Sequence, residues 1–284
     1  LKIMQDQVAN HCGPFHPWVE APPTETWFHD LEVMPRLRNN FDTPALTDPY
    51  ARPKRRNIPL RGWFAGHLPD FDQNDPLASD YLVQNALWWI GMTGIDGIRQ
   101  DTYPYVDRPF WEQWQGAINR QFPGFFVVGE ITTRMPSVLS FFEGGARRNG
   151  VDTRLTTMLD FPLYHLIRSV FAQGESMTRL VDILAQDSLY LRPELLVAFL
   201  GNHDNARFLS VAGGDISRLL MAQTFLLTTR RIPHLYYGDE IAMGQSDAGT
   251  SKSVRADFPG GFPGDPIDAF SPAGRTGDAA QVFN

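Results

Sequence analysis

Cysteine is almost absent. Cys12 is the one thiol in 284 residues, so an intrachain disulfide is excluded and a zinc-thiolate cluster cannot be built. No apolar run approaches the ~18 residues of a membrane span. No Lys/Arg block stands out, and 25 basic side chains face 32 acidic ones for a net charge of −7. That balance argues against a phosphate-tracking nucleic-acid surface and against a polybasic membrane patch. No glycine-rich phosphate loop follows any apolar run, and no repeat of a ~20–50-residue period is present. What the chain has is aromatic mass: 7 Trp, 8 Tyr and 20 Phe, with 43% hydrophobic residues overall. This is the composition of a soluble globular protein with a large core, and it excludes intrinsic disorder. A lone thiol suits a cytoplasmic enzyme and a periplasmic or secreted bacterial one equally, so the compartment stays open, as does the oligomeric state.

Proline use divides the chain. Eleven of the 22 prolines lie between Pro14 and Pro76, a stretch with little periodicity, read as a functional insertion. Beyond Pro76, short apolar runs alternate with helical ones, the signature of β/α units. Asp75-Pro76 has the form of an N-cap followed by proline at the first helical position. Leu77, Tyr81, Leu82, Asn85 and Trp89 follow at helical spacing, with Trp88 and Ile90 widening the apolar face. Asp107 is placed to cap a second helix whose face is Phe110, Trp114, Ala117 and Ile118. Strands are expected near 1–4, 97–99, 125–129, 156–160, 195–200 and 232–237. Buried strands each followed by a helix imply a parallel sheet with covered faces. Six of them suit an α/β fold of the (β/α)8 TIM-barrel class, in part, at least as well as an open doubly wound sheet.

The polar residues at the ends of these runs carry the chemistry. Asp6-Gln7-Val8-Ala9-Asn10-His11 follows the first, Arg99-Gln100-Asp101 the second, Glu130 the third, and Asn202-His203-Asp204 the fifth. In a parallel barrel the carboxyl ends of the strands meet on one rim, so three carboxylates, an arginine and two histidines would line one pocket. Taken singly, each has a plain structural reading: an Asp after a strand is most often a cap or turn residue. Asp160, in Asp160-Phe161-Pro162, is read that way and given no chemistry. The coincidence of charged groups at four ordered strand ends separates the others, because burying that many unpaired carboxylates is costly.

These motifs resemble the four defining regions of the α-amylase superfamily, glycoside hydrolase family 13. Leu68-Pro69-Asp70-Phe71-Asp72 is similar to the further region that superfamily carries in its inserted domain B, and Tyr237-Gly238-Asp239-Glu240 fits as well. Ile95–Arg99 with Asp101-Thr102-Tyr103-Pro104, and Asp257-Phe258-Pro259-Gly260-Gly261, look closest to neopullulanase-like and cyclomaltodextrinase-like members. The resemblance implies a catalytic barrel over 1–284, entered at about the third strand and left at the eighth, with a domain B-like region over 12–75. The chain is accordingly expected to be a piece of a longer polypeptide.

The resemblance further implies a retaining α-glucan hydrolase acting on maltooligosaccharides, cyclodextrins, pullulan or starch. A transglycosylase with the same acids is the alternative, and a non-catalytic binding relative is a second. Asp101 would be the nucleophile, Glu130 the general acid and base, and Asp204 the group that distorts the ring and stabilises the transition state. Arg99, two residues before Asp101 and on its face of the strand, would keep Asp101 ionised. His11 and His203 would donate hydrogen bonds to sugar hydroxyls and Tyr103 would bind substrate, while Asp6 and Asn10 give support. No cofactor is needed for the chemistry. A structural calcium ion is implied for many members, with Asn10 a ligand and Asp70 and Asp72 available. Departures exist too: Thr102-Tyr103 replaces the Lys-His pair of many endo-acting amylases, and Ile131 follows Glu130 where many neopullulanase relatives have tryptophan.

Overall fold

A computed structural model describes residues 1–34, 36–245 and 251–284. Four parallel strands form one sheet in the order β1 (Met4–Val8), β2 (Gly97–Asp101), β3 (Phe126–Gly129) and β4 (Thr157–Met158). Ile98, Val127, Val128 and Met158 are buried, as a sheet covered by helices requires. The first strand differs from expectation. It covers Met4–Val8 instead of 1–4, so Asp6 lies within it and not after it. Its partner dictates this: Met4 pairs with Gly97 and Val8 with Asp101, and the exposed Leu1–Ile3 run precedes the ladder.

Residues 12–75 separate β1 from the first long helix. Among their described residues are α1 (Thr43–Thr47) and α2 (Pro53–Arg61), joined by irregular backbone and isolated bridges such as His11–Asp70 and Phe28–Phe71. Proline density explains the lack of longer elements, since each ring removes a donor. The region is nonetheless packed, with Trp27, Phe28, Trp63 and Phe71 buried.

Helix α3 (Pro76–Thr93) starts as the sequence predicts: the Asp75 carboxylate accepts from the Leu77 and Ala78 amides. It ends on Gly94 in the left-handed region at φ 65°. Its buried face is the predicted one only at Leu82 and Ile90. Ala78, Leu82, Val83, Ala86, Leu87 and Ile90 are inside, whereas Leu77, Tyr81, Trp88 and Trp89 are exposed. Small Ala side chains allow close approach, and the bulky aromatics take the outer face. Helix α4 (Arg108–Gln121) buries Phe110, Trp114, Ala117 and Ile118 as expected, with Trp111. Asp107 precedes it but makes no side-chain capping bond. A shorter helix, α5 (Pro136–Phe141), follows β3.

The chain divides into two compact units, Leu1–Leu159 with Leu189–Leu191, and Asp160–Ser188 with Arg192–Asn284. The second holds a parallel pair, β5 (Val197–Phe199) and β6 (Ile232–His234). Helices α6 (Phe161–Ile167), α7 (Thr178–Leu184), α8 (Phe208–Val211) and α9 (Ile216–Thr228) surround it. They share a core of Ile167, Leu180, Ala198, Phe208, Ala222 and Leu226. Asp160 is a structural group here: it caps α6 through the Leu163 amide and pairs with buried Arg231 at 2.9 Å.

Candidate active site

Strand register builds the centre of the site. Asp6 lies beside Arg99, and Arg99 beside Val128. Carried two residues further, this ladder sets Asp101 beside Glu130, one strand spacing apart, about 4.8 Å. Side chains alternate along a strand, so Arg99 and Asp101 project from the same face. The Glu130 amide donates to the Gln100 carbonyl at 2.9 Å, which extends the ladder past the end of β3.

The Arg99 guanidinium gathers the acids. Its Nη1 donates to Asp101 Oδ1 at 2.5 Å and to Asp6 Oδ1 at 2.8 Å. Its Nη2 lies 2.8 Å from Glu130 Oε1, off the N–H axis, as an ion pair more than an aligned hydrogen bond. Burial disfavours the Arg99 charge, yet Glu130, Asp101 and Asp6 together hold it above its usual value. Asp101 and Glu130 thus meet on the two terminal nitrogens of one guanidinium, from neighbouring strands. Burial first, and then the Asp101 charge, push Glu130 up to about 7 against the opposing effect of Arg99.

Thr102, absent from the sequence-based site, holds the other side of Glu130. Its amide donates to Glu130 Oε2 at 3.3 Å, and its backbone stands at φ 48°. A β-branched residue in the left-handed region is strained, and here that conformation turns the amide toward the carboxylate. Adjacency to Asp101 was its one signal in the sequence.

His11 is oriented through Asn10. The Asn10 amide nitrogen donates to Asp70 Oδ1 at 2.7 Å and to the Tyr105 carbonyl at 3.0 Å, which turns its Oδ1 to His11 Nδ1 at 3.0 Å. An amide oxygen only accepts, so Nδ1 carries the proton. The ring stacks on Phe64 with centroids 4.9 Å apart, and burial lowers its pKa to about 4 despite the nearby Asp101 charge. His11 is thus neutral near pH 7 with Nε2 as an acceptor, which corrects the expectation of a donor. Tyr103 is corrected too. It is 1% exposed and stacked on Trp111 at 4.2 Å, a core residue and not a surface for substrate.

The residues proposed for calcium do not fit that ion. Asn10 Oδ1, both Asp70 oxygens and Asp72 Oδ1 already face N–H groups. Asp70 receives the Asn10 amide and His29 Nδ1 at 2.6 Å, and Asp72 receives His29 Nε2 at 3.1 Å. Burial works against a charged His29, but the hydrogen bonds it donates to Asp70 and Asp72, with their charges, outweigh it and raise the pKa to about 9. The His29 ring thus bridges the two carboxyl groups through both of its nitrogens. Among the described residues no His, Cys, Asp and Glu side chains form a metal-holding group.

The second unit carries Asn202, His203 and Asp204 after β5. Asn202 Oδ1 accepts from the Asp204 amide at 3.0 Å and from Asn205 Nδ2 at 2.7 Å, forming the turn that presents His203 and Asp204. The half-exposed Asp204 carboxylate lies 3.2 Å from His203 Nε2 and 2.8 Å from Arg255 Nη2. Arg255 also binds the His203 carbonyl at 3.0 Å, a role that nothing in its sequence neighbourhood signals. Buried Arg207 anchors the loop after β6 through the Tyr237 carbonyl at 2.8 Å and Asp239 at 3.6 Å.

Comparison with known proteins agrees with this reading of the fold. The profile described as alpha amylase, catalytic domain, matches residues 1–259. A beta/alpha-amylase of Paenibacillus polymyxa is 31% identical over 252 residues, 84% of this chain and 19% of that protein. A cyclomaltodextrinase of Geobacillus thermopakistaniensis is 27% identical over 257 residues, 86% of this chain and 39% of its own length. Neopullulanase 2 of Thermoactinomyces vulgaris is 28% identical, with 86% and 39% covered. The chain spans about two-fifths or less of these relatives. Among solved structures, an α-amylase from Geobacillus thermoleovorans complexed with acarbose superposes with TM-score 0.75 at 31% identity, over 91% of this chain and 54% of that one. An Anoxybacillus α-amylase gives 0.74 at 29%, over 90% and 53%. The fold class is α/β, part of a (β/α)8 barrel, and the chain belongs to the α-amylase catalytic-domain family of glycoside hydrolases.

Proposed function

We propose that the protein is a retaining glycoside hydrolase that cleaves α-1,4-glucosidic linkages in maltooligosaccharides, cyclodextrins, pullulan or starch. The observation that carries this reading is the Asp101–Glu130 pair on adjacent in-register strands, clamped by Arg99. Glu130, protonated through its raised pKa, gives its proton to the glycosidic oxygen as that bond breaks. Asp101, held by Arg99 at 2.5 Å, attacks the anomeric carbon and forms a glycosyl ester. The leaving sugar departs; Glu130, now ionised, takes a proton from water, and the hydroxide displaces Asp101 to restore both groups. In this reading His11 Nε2 accepts from a sugar hydroxyl. Asp204 with His203 binds sugar hydroxyls, and residues 12–75 act as the inserted domain B. The names of the relatives, cyclomaltodextrinase and neopullulanase, support the substrate class, as does the acarbose complex of the Geobacillus enzyme.

Kinetics of Asp101→Asn and Glu130→Gln on maltoheptaose, cyclodextrin and pullulan test the roles. Each is expected to lose about 10³-fold or more in kcat while the fold persists, given the ~10²–10⁴-fold contribution of positioned acid–base groups. Near-normal turnover by both variants would overturn the assignment.

A further inference from the structure

A cavity of about 240 Å³ is bounded by α1 and α2 on one side and by the start of α4 and the end of α5 on the other. None of Asp101, Glu130, Arg99 or His11 lines it. One water needs roughly 10–15 Å³ by this measure, so the space takes a molecule of some size. Leu46, Leu60 and Phe141 form apolar wall, and Arg56 and Arg108 bring two guanidiniums to it.

Among the described residues neither Arg56 nor Arg108 has a carboxylate within ion-pair distance. Arg56 gives Nη2 to the Asp48 carbonyl at 3.0 Å. Arg108 gives Nη1 and Nη2 to the Arg148 and Val151 carbonyls at 2.6 and 2.7 Å, with its plane 4.2 Å over the Phe141 ring. Nε of Arg56, of Arg108 and of neighbouring Arg148 is buried with no hydrogen-bond partner. The surrounding acids are committed elsewhere. Asp42 and Asp48 pair with Arg55, and Glu112 with Arg147 and Arg154. Asp152 accepts the Gly145 and Arg154 amides. Asp107 lines the cavity as well, but its carboxyl is subject to the charges of His29 and Arg61. Burial, and after it the like charge of Arg148, depress the Arg108 pKa against the opposing pull of Tyr103, Asp152 and Glu112. Water cannot neutralise cations in a partly buried wall, whereas a tetrahedral dianion can, its oxygens matching guanidinium N–H groups. A bare anion would leave most of the volume and the apolar wall unused.

We propose that this cavity binds an organic phosphate of monosaccharide size, its phosphate between Arg56 and Arg108 and its carbon frame against Leu46, Leu60 and Phe141. The site is separate from the catalytic pair, and its existence does not depend on the hydrolase reading.

Isothermal titration of the protein with glucose 6-phosphate, inorganic phosphate and glucose tests it. Glucose 6-phosphate is expected to bind one site, more weakly as salt rises, and about tenfold or more tighter than inorganic phosphate. Arg56→Gln should weaken it about tenfold or more, the loss of a charged hydrogen bond, whereas Asp101→Asn should leave it unchanged. Leu60→Trp, which fills the cavity and removes no charge, should also abolish binding and covers the case in which the arginine variant fails to fold. No saturable binding, or equal affinity for inorganic phosphate, would overturn the proposal. So would binding kept by Arg56→Gln and lost in Asp101→Asn, which would put the ligand in the catalytic cleft.

Discussion

Arg99 sets the charge state of its neighbours. With one terminal nitrogen on Asp101 and Asp6 and the other at Glu130, it lowers the cost of holding three acids together, while burial still leaves Glu130 near 7. A general acid must be protonated, so kcat/KM is expected to fall as pH rises above about 7. Removing the cation raises the Glu130 pKa further. In Arg99→Met the basic limb should therefore move to higher pH, with a lower maximum, in pH–rate profiles; a limb that moves down or stays would contradict this electrostatic role. Thr102 stores strain for the same carboxylate. Thr102→Gly is expected to keep or raise stability by up to about 1 kcal/mol in denaturant melts, where glycine at an unstrained strand position costs about 0.5–1. A loss of more than 1 kcal/mol would show that the left-handed backbone carries no strain.

At the scale of elements, capping ties the irregular region to the regular one. Asp75 caps α3 and also accepts from the Thr24 and Thr26 hydroxyls at 2.5 and 2.6 Å. Asp75→Ala is expected to cost at least about 1–2 kcal/mol by thermal or chemical unfolding, more than a cap that serves its helix alone; a cost within a few tenths would refute that double role. Asp75-Pro76 was legible because capping is local chemistry, and β3 and β5 because buried parallel strands are continuous apolar runs. The first strand was misplaced because Gln5, Asp6 and Gln7 look like loop, and only pairing with β2 reveals them as strand. Most of the α3 face was misread because Trp88, Trp89 and Tyr81 outweigh alanine in any apolar count, although alanine is what lets the helix approach closely. Within the site, Asp101 and Glu130 could be read from strand-end chemistry. Thr102, Arg255 and His29 could not, since each acts on a partner distant in sequence or through backbone geometry.

Across the whole molecule, two units each build a parallel ladder and end a strand in acidic chemistry: Asp101 and Glu130 on one, Asp204 on the other. Among the described residues no helix is long and apolar enough to cross a membrane. The family is established over residues 1–259, and within it the proposed activity stands on the closeness of two carboxyls under one guanidinium. In the proposed reading, attack on the anomeric carbon comes from Asp101 and not from water. The anomeric form of the first product, followed by proton NMR in the opening minutes of maltoheptaose hydrolysis before mutarotation, tests this directly. The α-anomer appearing first is the predicted result; the β-anomer appearing first would mean direct attack by water and would contradict the account.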